Sequence, residues 1–548
     1  MDIFWNRLPR ELAEKFLAGG VGRTHLTAIG YQCIELSKTD PAKRELYIKL
    51  AFETLLSAWC HDPLNLQSAQ LQQNLMGQDG PDSPMGKMLA RIIQESHKDD
   101  LNVERKRLHN LINRERYEQA GEVLSQLLSE TPASLALLKV STELYEATGE
   151  ESFLNASLQL LKNIDFSSME PLYEFICANL DFAQKKYTEA AAHYEKAYTT
   201  GSFPEALPRQ GECLLHIGNR KEAIRLYRQD AKARPWRINT LLRTADLINK
   251  TDLQSSSPPG KVAILIYSYN KAEELDATLD SVFAARYENA FLAILDNGSS
   301  DGTAAVIDKW EAESKTRADL PMIRFDLHVN IGAPAARNWL LYHPEISKAD
   351  FAAFLDDDAL PPQDWLLKLG TSIKAYPDAG IWGCKVVDAP NPRKLQSIDL
   401  HIKTEKDEDD PKLRMTDIQL QTMDYGQFDY IRPCGSVTGC CHIMRMADLE
   451  QTGGFDIRFS PSQFDDLDRD LRLCLQNTVP VYQGHLRVRH LKRTGTAGAT
   501  SKKAATIQIG NQTRLDMKYS SIQAKKISDA VFEASLADVM AKVALIKK

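Results

Sequence analysis

From Met1 to about Lys250, apolar residues recur at three- and four-residue spacing with few β-branched runs, which predicts helices. Asp252-Leu-Gln-Ser-Ser-Ser-Pro-Pro-Gly260 then has the composition of a linker. Beyond it the period changes. Lys261–Tyr267, Ala290–Leu295 and Phe351–Leu355 are apolar runs of strand length, the pattern of parallel strands buried on both faces, and Met322–Leu327, interrupted by Arg324 and Asp326, reads as a further strand between them. Glu273–Phe283, Thr303 to about Glu313, and the stretch opened by Asn330 to Asn338 predict helices between them. Strands alternating with helices imply a parallel sheet covered on both faces, which binds ligands beyond the carboxyl ends of its strands. Polar clusters follow all four runs.

The sharpest of these clusters is in Phe351-Ala-Ala-Phe-Leu-Asp-Asp-Asp-Ala-Leu360, where Pro361-Pro362 stops the strand from continuing. Three adjacent carboxylates repel and should raise one another's pKa; around a cation they become favourable, and oxygen ligands suit Mg²⁺ or Mn²⁺. Taken alone, the triplet also fits a solvated acidic turn. At the second strand end, Asp296 has the chemistry to accept a hydrogen bond from a nucleotide base, and Asn297-Gly298 forms a turn that lets backbone approach. Ser299 and Asp301 there also fit a helix cap. Arg337, near a helix start, fits a phosphate.

The chain of 548 residues is too long for one core, and we divide it into helical residues 1–100, repeat-like helices 101–250, the linker 251–260, a strand-and-helix domain 261–522 and a C-terminal helix 523–548. Within the first half Tyr187-Thr-Glu-Ala190, Tyr194 and Ala197 superimpose on Arg220-Lys-Glu-Ala223 and Tyr227 at an offset of 33 residues. An earlier copy has Tyr117, Ala120, Leu124, Leu127 and Pro132, with Pro235 closing the later one. These residues resemble tetratricopeptide repeats, of period about 34; the resemblance implies a concave surface for a peptide or protein. Ile527–Lys548 is expected to be an amphipathic helix that packs back on the repeats. Lys403–Pro411 reads as a charged, solvated loop.

The order Tyr267-Ser-Tyr-Asn270, Asp296-Asn-Gly-Ser-Ser-Asp301, Asn330-Ile-Gly-Ala-Pro-Ala-Ala-Arg-Asn338 and Leu355-Asp-Asp-Asp358 resembles the family 2 glycosyltransferases of the GT-A fold, over about Lys261 to Ser520. The resemblance implies a multidomain protein: an all-α helical-repeat half followed by an α/β, Rossmann-like nucleotide-diphospho-sugar transferase half. It places Ser268, Tyr269, Asn270, Asp296, Asn297, Ser299, Asn330, Gly332, Arg337, Asp356 and Asp357 at the nucleotide sugar. Asp358 would ligate Mn²⁺ or Mg²⁺, with His490 as an additional ligand; the alternation of Leu486, Val488 and His490 also fits a partly buried structural histidine on a strand. Asp466, in Phe464-Asp-Asp-Leu-Asp468, would be the base, with Asp465 as its rival; a helix start that favours acids through its dipole explains the same pair without chemistry. His442, inside an apolar run, reads as a core histidine.

The implied activity is inverting, metal-dependent transfer from a nucleotide-diphosphate sugar, UDP ahead of GDP or dTDP, to a hydroxyl. The repeats point to a protein acceptor such as flagellin. The alternatives are extension of a polysaccharide or lipid-linked glycan and, outside catalysis, a nucleotide-sugar-sensing scaffold. A net charge of −7 argues against nucleic acid as a partner. Nine cysteines without a Cys-x-x-Cys pair, a start unlike a signal peptide and no run long enough to cross a bilayer lead to a cytoplasmic expectation.

Overall fold

The computed structural model describes residues 2–76, 80–98, 102–199, 201–406, 411–491 and 502–547. The chain divides into two units, Met1–Thr244 with Gln421–Gln427, and Ala245–Leu420 with Phe428–Lys548.

Among the described residues up to Thr244 the first unit holds helices and no strand. From Tyr117 onwards its helices include Tyr117–Glu130, Leu135–Thr148, Glu151–Asn163, Glu170–Ala183, Tyr187–Thr199, Ala206–His216 and Arg220–Ala233; the first three pack each on the next, and so do the last four. The residues of the sequence repeat, Ala120, Leu124, Leu127, Ala190, Tyr194, Ala197, Ala223 and Tyr227, are all buried. The repetition extends to hydrogen bonds. Tyr194 donates to Asn179 at 2.8 Å and, 33 residues later, Tyr227 donates to Glu212 at 2.8 Å. Small residues let these helices approach: a Cβ on Gly211 would lie 2.9 Å from the Tyr227 ring.

Gln421–Gln427 joins this unit although it lies far along the chain. Tyr425 is buried with the helical core, its ring 5.1 Å from Phe182 and under the Arg209 guanidinium at 3.9 Å. Gln421 accepts from the His25 amide at 2.9 Å. No periodicity in the sequence marks this segment as part of the helical unit.

In the second unit, β1 (Val262–Ser268), β2 (Ala290–Asp296), β3 (Met322–Asp326), β4 (Phe351–Leu355), β5 (Ala359–Leu360), β6 (Ile381–Asp388), β7 (Leu395–Ser397), β10 (Ile431–Pro433), β11 (Cys441–Arg445) and β12 (Val481–His490) form one sheet. β8 (Ile402–Lys406) and β9 (Pro411–Met415) pair separately. The main order is β10-β12-β6-β11-β4-β1-β2-β3. β1 runs parallel to β2 and β4, and β2 to β3; β11 is antiparallel between β4 and β6. β1, β2 and β4 are buried because helices Ala272–Ala284, Thr303–Ser314, Ala333–Leu341 and Trp365–Ala375 alternate with the strands along the chain, whereas β3, at the sheet edge and carrying Arg324 and Asp326, is only half-buried.

Two expectations change. Lys403–Pro411 is not a plain loop: its ends are the paired strands β8 and β9, and 407–410 lie outside the described residues. The C-terminal helix, Ser521–Lys547, packs within the second unit rather than on the repeats. Asp538 accepts from the Tyr376 hydroxyl at 2.6 Å, Lys542 bonds the Ile431 carbonyl, and Ile527 and Val531 share a core with Leu471 and Cys474. An amphipathic face read from sequence names no partner. The 251–260 stretch is also held, with Lys368 donating to the Asp252 carbonyl at 2.9 Å. No helix among the described residues is long and apolar enough to cross a membrane.

Candidate functional site

Register brings the strand ends to one level: Ser268 of β1 lies opposite Asp296 of β2, which lies opposite Asp326 of β3. The loops that follow bind one another. Asp296, buried, accepts from the Ser299 amide at 2.9 Å. Asn270, at φ 53°, donates its amide to Ser299 at 3.0 Å and accepts from the Ser300 amide at 2.8 Å. Asn297 donates to Asn330 at 3.1 Å and accepts from the Ile331 amide at 3.1 Å, while Asn330 also accepts from the Gly332 amide at 2.8 Å. Gly298 is required here: its φ is 78°, and a Cβ would lie 2.6 Å from the Val329 carbonyl carbon. Asp301 accepts from the Thr303 amide at 3.0 Å, the capping role that its position also allowed. Tyr269 stands exposed beside these loops.

The acidic triplet closes the end of β4. Asp357 accepts from Ser268 at 2.7 Å and from the Lys271 ammonium at 2.8 Å. Asp358 takes the same ammonium at 2.7 Å on Oδ2 and faces His490 Nε2 at 2.7 Å on Oδ1. His490 sits there because β12 pairs with β5, placing it opposite Ala359, and Gln396 of β7 meets its Nδ1 at 2.9 Å. Burial pushes the Asp357 carboxyl up against the pull of Lys271 and Ser268. It pushes the Asp356 carboxyl up to about 6, with Arg337 opposing and Asp358 adding. Burial works the same way at Asp358, but the hydrogen bond and charge of His490, with Lys271, hold that carboxyl well below the usual range. For His490, burial disfavours the charged ring; the bond to Asp358 outweighs it and raises the pKa.

Ligand atoms of Asp356, Cys440 and His490 all lie within 4.8 Å of one another, and Asp358 Oδ1 is beside His490 Nε2. Burial keeps the Cys440 thiol protonated, which leaves carboxylate oxygen and imidazole nitrogen as the donors. That set fits a hard divalent ion.

Arg337 is enclosed rather than open to a phosphate. It pairs with Asp465 at 2.6 Å and Asp356 at 3.4 Å, and the rings of Tyr267 and Phe455 flank it at 5.5 and 5.3 Å. It therefore acts on the site through these two carboxylates. Asp465 is 1% exposed and shut in by that pair. Asp466, the next residue of helix Asp465–Cys474, accepts from the Gly439 amide at 2.7 Å and lines a cleft of about 460 Å³. Asp388, Gln396, Thr438, Arg414 and His490 line the same cleft. A Cβ on Gly439 would lie 2.8 Å from the Asp466 carboxylate, so a larger residue there would push that carboxylate aside.

Residues 263–452, which carry β1, β2, β4 and the triplet, match the family described as Glycosyl transferase family 2. The chain contains a family 2 glycosyltransferase domain. It is 25% identical over 233 residues to the O-antigen biosynthesis protein RfbC of Myxococcus xanthus, covering 42% of this chain and 17% of that one. It is 30% identical over 118 residues to the poly-beta-1,6-N-acetyl-D-glucosamine synthase of Staphylococcus aureus, covering 22% of this chain and 26% of the synthase. The matches thus span about a sixth and a quarter of these relatives. Among solved structures, a mannosyltransferase from Pyrobaculum calidifontis in complex with GDP-Man and Mn²⁺ is 14% identical at TM-score 0.34, over 56% of this chain and 86% of its own. S. aureus TarS is 16% identical at TM-score 0.29, over 41% and 36%.

The glycosyltransferase domain holds three site residues that sequence reasoning missed. Lys271 directly follows the quoted Asn270, so its signal was present. Gln396 carried none, and only the fold brings it to His490 and Gly439 to Asp466. His442 is buried with its ring 5.4 Å from Phe354, and burial lowers its pKa to about 3, as a core histidine requires.

Asp470 braces the loop that presents Gly439, accepting from Ser436 at 2.7 Å and the Val437 amide at 2.9 Å, and burial raises its carboxyl to about 7. A carboxyl whose folded pKa is raised favours the folded state fully below its unfolded value of about 3.9 and loses that contribution as pH rises towards the folded one. Asp470→Asn, which cannot ionise, should therefore gain melting temperature relative to the native chain between pH 5 and pH 8. Parallel melting curves with a constant difference over that range would refute the assignment.

Proposed function

We propose that this chain is an inverting, divalent-metal-dependent glycosyltransferase that moves a sugar from a nucleotide-diphosphate sugar to an acceptor hydroxyl. One observation carries the reading: within and beside the family 2 domain, Asp466 and His490 line one cleft, and His490 bonds Asp358 of the triplet.

In this reading Tyr269, Asp296 and Asp356 hold the base and ribose of the donor, with Asn297, Ser299, Asn330 and Gly332 shaping their loops. Asp358 and His490 would hold the ion, with Asp357 beside them. Bound Mn²⁺ or Mg²⁺ supplies positive charge where the leaving diphosphate develops negative charge. Asp466 takes the proton of the acceptor hydroxyl on a carboxylate oxygen as that hydroxyl attacks the anomeric carbon from the face opposite the leaving group. Arg337 holds Asp356 and Asp465 in place, and the Gly439 amide aims Asp466. UDP is the first donor to test, then GDP and dTDP.

The buried repeat in the helical unit supports recruitment of a protein, with Ser or Thr of an acceptor such as flagellin as the first choice. The names of the relatives, O-antigen biosynthesis protein and polysaccharide synthase, favour a second reading in which the acceptor is a glycan. Transfer of labelled sugar to hydroxyl-bearing peptides or to oligosaccharides separates the two.

The donor half is tested by calorimetry of UDP-, GDP- and dTDP-sugars with and without Mn²⁺. Asp358→Ala should abolish the metal-dependent part of the binding, a loss of about 10–100-fold or more in affinity for the ion. An unchanged affinity in the presence of Mn²⁺ would remove Asp358 from the ligand set.

A further inference from the structure

Lys271 enters the acidic triplet from the turn after β1, and nothing in the proposed transfer uses it. Its ammonium lies 2.8 Å from Asp357 Oδ1 and 2.7 Å from Asp358 Oδ2. The remaining carboxylate oxygens are also engaged, Asp357 Oδ2 by Ser268 at 2.7 Å and Asp358 Oδ1 by His490 at 2.7 Å. Both carboxylates are buried, at 7% and 3% exposure. Two adjacent carboxylates withdrawn from water repel each other and lose hydration, so they stay ionised together only beside a cation. A divalent ion is one such cation. Lys271 is another, built into the chain.

A fixed positive charge at this place has two opposite effects on an arriving metal. It keeps the ligands ionised and aimed, which favours binding. It also repels the ion through a partly buried medium, where charges interact far more strongly than in water. The distances decide which dominates. Lys271 touches both carboxylates directly, whereas the aim of Asp358 Oδ1 is set independently by His490 and by the Leu491 amide, which donates to the Asp358 carbonyl at 2.9 Å. Orientation thus survives without Lys271, and the neutralisation does not.

We propose that Lys271 is a resident counter-cation of the acidic triplet, holding it assembled without metal and weakening its grip on a bare divalent ion, so that the ion binds firmly only together with the diphosphate of a donor. This rests on the metal-dependent reading above, and Lys271 acts through the two carboxylates it neutralises rather than on the substrate. A diphosphate brings the extra negative charge that Lys271 withholds, and metal and nucleotide then enter as a pair.

The test uses the full chain as Lys271→Met, which keeps the apolar stem, and Lys271→Arg, which keeps the charge. Binding of Mn²⁺ alone is followed by the free-ion resonance signal, and melting is followed in EDTA and in Mn²⁺. The Met variant should bind Mn²⁺ about tenfold tighter than the native chain, a modest value for removing one charge beside a divalent ion. It should melt lower in EDTA, with Mn²⁺ restoring more of its stability than it adds to the native chain. The Arg variant should match the native chain in both. A Met variant that folds only with Mn²⁺ supports the proposal as well. Equal or weaker Mn²⁺ binding by the Met variant overturns it, and so does a variant that fails to fold even in Mn²⁺. If the native chain binds no donor in a Mn²⁺-dependent way, the metal reading itself fails. Native donor binding that needs Mn²⁺, without the gain in the Met variant, defeats only the role of Lys271.

Discussion

Asp466→Asn should lower sugar transfer about 10²–10⁴-fold, the usual contribution of a positioned general base, while donor affinity stays within about twofold. The substitution is close to isosteric. Its amide oxygen still accepts from Gly439, so the loop that shapes the cleft keeps its place. What it loses is the capacity to take a proton at neutral pH. Asp465→Asn should behave differently, because Asp465 is shut away from the cleft and balances Arg337. Removing that charge leaves a buried guanidinium with only Asp356, so the expected result is loss of stability and of donor binding together. Initial rates and calorimetry on the two variants separate the roles. Transfer retained by Asp466→Asn would remove Asp466 as the base and return the assignment to Asp465.

Arg237→Met should cost the helical unit about 3–5 kcal/mol, the range for removing one partner from a buried ion pair. Arg237 is 1% exposed and holds Asp230 at 2.9 Å, Glu205 at 2.6 Å and Ser57 at 2.7 Å. Without it, Glu205 loses its guanidinium partner in a region that water does not reach, and Asp230 keeps only its pair with Arg234 at 2.8 Å. The loss should appear as an earlier transition assigned to the first unit, with the donor-binding transition unmoved, since a protein of two units need not unfold in one step. Replacing Arg237, Asp230 and Glu205 together by apolar residues of similar volume should recover most of the stability, because the penalty comes from the stranded charges. A single variant within about 1 kcal/mol of the native chain would show that the network carries no net weight.

Most elements were legible in the sequence because their signals are local. Apolar runs marked β1, β2 and β4, the three- and four-residue spacing marked the helices, and the 33-residue offset marked helices whose tyrosines make equivalent bonds. The polar clusters after the strands were legible for the same reason, and strand register then brings Ser268 and Asp296 side by side. The Asp465-Asp466 pair was legible as a pair and no further.

Its division into an enclosed and a cleft-facing carboxylate depends on Arg337 and Gly439, 128 and 27 residues away from their respective partners. His490 meets Asp358 across 132 residues, and Lys271 meets the triplet across 86 and 87. The docking of helix Ser521–Lys547 and the place of Gln421–Gln427 in the helical unit have the same origin. By itself the sequence determined the elements, the family 2 resemblance and the residue types at the site. The tertiary structure decided which charge neutralises which, because the partner of a buried charge is set by how the chain packs, and periodicity carries no record of that.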